Sequence, residues 1–351
     1  MYDLKTIPGL LSAILLLILM LHLRAVASTN VYATSARGNH DDVIVGKHAA
    51  RGQTELELWN PVTRTISAQT NVPESVIELH CVPGYLVAAT SHDIYVGPAT
   101  LITPPLRVWH TPRTILRIAP FRSGWMTLVA DDVGSHPLKG SVYWFKTVRT
   151  TQPRLLSLRT IYNFWEIQSG DMDGDGRPII ALCTWSKTSL IRTYARRFFI
   201  YGMTDKDSYP RWRGSRLSRP YLSARLVRST PGLDWKLLSV ETASSEHVCL
   251  MLYQWDDFGF YGLGRSRELK SATLVRNDFG ASLAIVANGP RDELVRPEVV
   301  GGKLQLSRVC YLTKGDSVVV GRFGSKGLTC LIVPDTGLPG SHIEIMPSGM
   351  K

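Results

Sequence analysis

The chain runs to 351 residues, and length alone fits either two domains or one large β unit. Its formal net charge of +11 points toward acidic partners without selecting one. Five cysteines, an odd number with no C-x-x-C spacing, argue against a disulfide framework and a zinc knuckle, although a single disulfide stays open.

Residues 1–27 read as a signal peptide. An apolar run from Leu10 to Leu21 is followed by Ala25-Val26-Ala27, the small-residue pattern at which signal peptidase cuts. The run is shorter than the roughly 20 residues of a spanning helix, and Pro8, His22 and Arg24 lie close to it. A retained N-terminal anchor is the alternative. Removing Asp3, Lys5 and Arg24 with the leader leaves +10 on residues 28–351, expected to be secreted or held in the cell envelope.

The mature chain repeats one hairpin. Val31 to Ala36 leads through Gly38-Asn39-His40-Asp41-Asp42 into Val43-Ile44-Val45-Gly46. Copies follow at Ser75 to Thr90 around Pro83-Gly84, and at Ile115 to Ala130 around Arg122-Ser123-Gly124. The clearest joins Phe164 to Ser169 with Pro178 to Cys183 through an acidic turn. Fainter copies run from Ala224 to Thr242 and from Ala272 to Ala287, and the last joins Ser317 to Phe323 with Leu328 to Val333. Phe121 and Met172 occupy equivalent places.

A third strand is expected after each hairpin: Thr54 to Trp59, Asp93 to Val96, Ser141 to Thr147, Arg196 to Tyr201, His247 to Tyr253, Lys303 to Val309 and His342 to Ile345. Fourth strands are legible only in the first three units, at Arg64 to Thr70, Leu106 to Thr111 and Arg154 to Thr160. Repeats every 40 to 60 residues, each of about four short antiparallel strands, predict an all-β fold. The expected form is a single β-propeller of seven blades, with six or eight as alternatives and a last blade short of a fourth strand.

The turn Gly170-Asp171-Met172-Asp173-Gly174-Asp175-Gly176-Arg177-Pro178 alternates carboxylates with glycines, a spacing that brings oxygens toward one point as calcium requires. It resembles the calcium loop of the FG-GAP and VCBS repeat family, the repeat of integrin α-chain propellers, and Gly38 to Gly46 resembles that repeat's second half. The resemblance implies a structural calcium held by Asp171, Asp173 and Asp175 with the carbonyl of Arg177, in a hairpin on the face opposite the usual ligand surface. Ile179 stands where the family places a further acid. An EF-hand is excluded, since its twelfth loop position is Leu182 and strands flank it.

Nucleophile elbows, P-loops, H-E-x-x-H and G-x-G-x-x-G motifs are absent from the sequence. Arginine is dense between Arg192 and Arg228, notably in Pro210-Arg211-Trp212-Arg213-Gly214-Ser215-Arg216, which reads as a solvated loop and outer strand in preference to a nucleic-acid track. The stretch Tyr253-Gln254-Trp255-Asp256-Asp257-Phe258-Gly259-Phe260-Tyr261 offers aromatic planes beside carboxylates for a sugar or peptide, or else packs on a neighbouring blade. The function expected is a non-catalytic, exported, monomeric module that binds protein or carbohydrate through loops on one face. Membrane contact is expected only if the leader is retained. The alternative is a propeller enzyme acting on polysaccharides.

Overall fold

The computed structural model describes residues 31–347 apart from 38–39, 50–51, 131–139, 157, 159–162, 188–191, 215–216, 229–234, 258, 277–279, 288, 314–315, 323–327 and 334–344. The leader therefore lies outside the described residues, as do the Pro231-Gly232 turn and the last hairpin's turn.

The described chain is all β, folded as seven antiparallel sheets that each use only consecutive strands. The first contains β1 (Val31–Arg37), β2 (His40–His48), β3 (Thr54–Asn60) and β4 (Thr65–Val72), and the second β5 (Glu78–Val82), β6 (Tyr85–Ala89), β7 (Asp93–Pro98) and β8 (Leu106–His110). The third has β9 (Thr114–Phe121), β10 (Gly124–Ala130), β11 (Gly140–Phe145) and β12 (Arg154–Leu155), and the fourth β13 (Asn163–Gly170), β14 (Ile179–Ser186), β15 (Ala195–Met203) and β16 (Ser208–Trp212). The fifth has β17 (Tyr221–Arg228), β18 (Trp235–Thr242), β19 (Val248–Trp255) and β20 (Phe260–Arg265), and the sixth β21 (Ser271–Leu274), β22 (Ala284–Ala287), β23 (Asp292–Val300) and β24 (Lys303–Leu312). The seventh sheet is β25 (Ser317–Arg322), β26 (Leu328–Val333) and β27 (Ile345–Pro347).

Seven apolar clusters bind these sheets, one between each neighbouring pair. Strand β14 shows why its sequence is continuously apolar. Ile180 and Leu182 face the third sheet, whereas Ile179, Ala181 and Cys183 face the fifth. A strand covered on both faces has no polar alternation to display. Each first strand runs beside the next sheet's first strand, from β1 through β5, β9, β13 and β17 to β21. The circle closes where Val319, Leu331 and Val333 of the seventh sheet pack on Val43, Val45 and Trp59 of the first. The fold is a seven-bladed β-propeller, closed by side-chain packing, with no strand exchanged between the first and last blades among the described residues.

Two assignments change. Lys303 to Val309 belongs to the fourth strand of blade six, because Asp292–Val300 is the third. Pro297 and three acids obscure that strand in sequence, yet Pro297 sits within the ladder opposite Leu306. In blade five the aromatic stretch is no loop beyond the sheet. It forms the end of β19 and the start of β20, with Trp255 paired to Phe260.

Candidate functional site

Consecutive antiparallel strands turn alternately at the two ends of each blade, so the β13–β14, β15–β16 and β19–β20 turns share one face. Three segments that look unrelated in sequence meet there. The Arg211 guanidinium grips Asp173 of the acidic turn through two contacts, Nη2 lying 3.2 Å from Oδ1 and Nη1 meeting Oδ2. It also reaches Asp257 of blade five at 3.6 Å and lies 5.6 Å from the Trp255 ring centroid. Phe260 fits edge-on between Trp212 and Trp255, at 5.1 and 5.3 Å. The aromatic stretch is thus mainly packing between blades: Tyr253 and Trp255 are buried, and Tyr261 remains half exposed.

The acidic turn is held by its own amides. Asp171 accepts from the Asp175 amide at 3.2 Å and the Gly176 amide at 2.8 Å, and Asp175 accepts from the Arg177 amide at 2.8 Å. Gly174 and Gly176 adopt φ of 70° and 79°, the left-handed region that a side chain disfavours. Met172 and Ile179 are buried in the cluster between blades four and five. The donor chemistry suits a hard cation, and Asp173 is engaged by Arg211, so an ion at this turn competes with that guanidinium. Among the described residues, no three His, Cys, Asp or Glu side chains are grouped to hold a metal.

The opposite face carries a different surface. Trp185, next to the end of β14, has its side chain about half exposed, opposite Arg196 in the ladder, and Tyr194 and Leu222 are similarly exposed. Arg196 donates to the Leu222 carbonyl at 2.8 Å and lies 5.8 Å from the Trp165 ring centroid, while Lys187 lies 5.0 Å from that of Tyr194. Lys187, Arg192 and Arg196 are exposed. The arginine-dense segment is therefore no single stripe. Arg196 faces solvent here, Arg197 is buried and bonded to the Ser186 carbonyl at 2.9 Å, Arg211 clamps the other face, and Arg225 points to the ring axis.

Along that axis lies a cavity of about 90 Å³ that motif searching misses. Arg276, following β21, crosses it to bind Glu78 of blade two at 2.5 Å and Glu166 of blade four at 3.1 Å. Arg225 and Arg117 approach Glu166 at 3.3 and 3.6 Å, and His80 approaches Glu78 at 3.3 Å. Burial acts to raise the Glu78 pKa, but the hydrogen bond and charge of His80, the charge of Arg276 and the Ile118 amide outweigh it and hold the carboxyl at about 2. Neighbouring first strands are also stitched by side chains: Gln168 donates to the Ala224 carbonyl at 2.7 Å and accepts from the Leu226 amide at 2.8 Å. The available signal was a charge within the first strand of a repeat, as at Glu78, Arg117, Glu166 and Arg225.

None of the five cysteines is in a disulfide. Burial, then the neighbouring Cys310, pushes the Cys330 thiol up to about 12, which keeps it protonated and unreactive.

No family model and no curated protein matches the sequence. Solved structures do match along nearly the whole chain. One chain of a mitotic checkpoint complex aligns with a TM-score of 0.55 at 9% identity, over 92% of this chain and 87% of that one. A chain from the complex of KlAtg21 with the coiled coil of AgAtg16 aligns at 0.52 and 9%, over 84% and 89%. The N-terminal domain of Nup159 aligns at 0.48 and 11%, over 91% and 89%. At such identities the likeness extends to the fold alone, and the match to the KlAtg21 complex agrees with the β-propeller read from the sheet order.

Proposed function

We propose that the protein is an exported, non-catalytic propeller that binds an acidic protein partner through the face bearing Trp185, Tyr194 and Leu222. The observation that carries this reading is the exposure of two aromatic rings and a leucine around the Arg196 side chain, with Lys187 and Arg192 beside them. Aromatic and arginine side chains supply most of the energy at protein interfaces, and a basic rim steers an acidic partner toward them. The setting of two similar folds agrees: one was solved in a mitotic checkpoint complex and the other with a coiled coil.

In this reading the acidic turn is a brace on the far face. Arg211 supplies its positive charge, and calcium competes with that guanidinium for Asp173.

The test is affinity capture from the source organism with the wild type and a Trp185→Ala/Tyr194→Ala double variant, followed by titration of the purified captured protein. An acidic protein binding the wild type about tenfold or more tighter than the variant is expected, since interface aromatics cost about 2 kcal/mol or more when truncated. Equal binding by both overturns the assigned face. Turnover of a uronic-acid polymer by the wild type overturns the non-catalytic reading and favours the polysaccharide-acting alternative.

A further inference from the structure

The outer turns of the ring divide by charge. At the end that carries the acidic turn, third and fourth strands are joined by residues 61–64, 99–105 and 146–153 in blades one to three, and by 204–207 and 256–259 in blades four and five. The first three turns hold Arg64, Lys146 and Arg149 and no acid, with Arg154 opening the strand beyond, and all four cations are exposed. The other two set Asp205, Asp207, Asp256 and Asp257 against Lys206 alone. Asp205 marks the border, 3.5 Å from Arg122 of blade three.

The same three turns present apolar side chains. Ile102 and Leu106 are 77% and 72% exposed, more than any other large apolar residue described, and Val62 and Leu155 are about half exposed. The loop carrying Ile102 is fixed from beneath. Leu101 takes a left-handed φ of 54°, which a side chain disfavours, and is buried in the cluster between blades one and two. Its amide donates to the Pro98 carbonyl at 3.0 Å and the Ala99 amide to the Gly84 carbonyl at 3.1 Å. Pro105 lies against Gly97, where a Cβ would come within 2.9 Å of the proline Cα. An isoleucine on a loop held this firmly is presented to solvent by a built surface, and exposed apolar groups of that kind mark contact sites.

We propose that the outer turns of blades one to three dock the ring onto an anionic lipid surface, with Ile102 and Leu106 entering the headgroup region and Arg64, Lys146, Arg149 and Arg154 facing the lipid charges. Equivalent turns of successive blades recur at one height and radius, so their tips lie near one plane, which matches a bilayer surface better than a partner's pocket. Apolar side chains flanked by cations are what interfacial binding to anionic lipid uses. The acids of blades four and five tilt that side of the ring away from the lipid. The Trp185 face lies at the other end and stays free, so the docking does not rest on the partner-binding reading and needs no retained leader.

Cosedimentation of the mature chain with vesicles of phosphatidylcholine alone, or of two parts phosphatidylcholine to one of phosphatidylglycerol, tests it. Saturable binding to the mixed vesicles is expected, about tenfold or more tighter than to phosphatidylcholine alone. Ile102→Ser/Leu106→Ser, at positions exposed enough to leave the melting temperature unchanged, is expected to weaken that binding about tenfold or more. Arg64→Gln/Arg149→Gln is expected to weaken it and to flatten its dependence on salt. Trp185→Ala/Tyr194→Ala keeps vesicle affinity, which separates this rim from the face patch. The proposal is overturned if the mixed vesicles show no saturable binding, or if phosphatidylcholine alone binds equally well. It is also overturned if Ile102→Ser/Leu106→Ser binds vesicles as the wild type does, since the rim is then only a basic surface. Loss of the acidic protein partner in that variant, with no vesicle binding by the wild type, makes the rim a protein interface and overturns it as well.

Discussion

Glu78 shows how much a single residue does in this ring. It opens a strand on blade two, accepts from the Ile118 amide of blade three at 2.8 Å and meets Arg276 of blade six. Its folded pKa of about 2 lies below its ordinary value of 4.5. A depressed carboxyl adds stability that is fully present above the unfolded value and is lost as pH falls through the folded one. Thermal melts from pH 5 down to pH 2 should therefore show a falling midpoint, with the loss concentrated below about pH 4.5. Glu78→Gln, which has no proton to take up, should flatten that slope; an unchanged slope contradicts the assignment. Glu241 is a second buried acid with a purely structural part. It accepts from Tyr253 at 2.6 Å, Ser239 at 2.8 Å and Ser218 at 3.1 Å, which satisfies a carboxylate that no solvent reaches.

At the scale of elements, the acidic turn is a hairpin fixed by its own amides and by one guanidinium from the outer strand of its blade. A partly exposed pair of this kind contributes about 1 kcal/mol or less. Arg211→Gln should lower the melting temperature slightly while raising calcium affinity, because Asp173 is released to face an ion. Titration of calcium into both proteins, followed by melting temperature, checks this. Destabilisation of the wild type by a chelator alone contradicts the account, since the guanidinium then is not what holds Asp173. The sequence made this turn legible because glycine and aspartate at alternating places have few other uses. It did not make Arg211 legible as the partner, because 38 residues separate the two and only the register of β15 with β16 brings them together. Strand β23 was hidden for a related reason: it carries a proline and three acids and shows no clean alternation, so β24, the outer strand beside it, reads as the third strand of its blade.

For the whole molecule, repetition of one hairpin was sufficient to predict an all-β ring of seven blades, since a strand buried between two neighbours must be apolar on both sides. Strands β10 and β14 meet that demand along almost their whole length. What repetition could not supply was the interior of the ring. Glu78, Glu166, Arg225 and Arg276 come from four blades, and each sits in its own repeat as an isolated charge. The proposed binding face was hidden similarly: Trp185 is the one exposed position of an otherwise buried strand, and only the fold places Tyr194, Arg196 and Leu222 near it. The two ends of the ring thus differ in kind, one braced by Arg211 and acids, the other offering aromatics and cations to solvent.

Amide hydrogen exchange of the protein with and without its captured partner tests the central claim most directly. Protection is predicted at 185–187, 192–196 and 219–222, with 171–176 unchanged. Protection confined to 171–176 and 205–213 would contradict the account, because it would put the partner on the braced face.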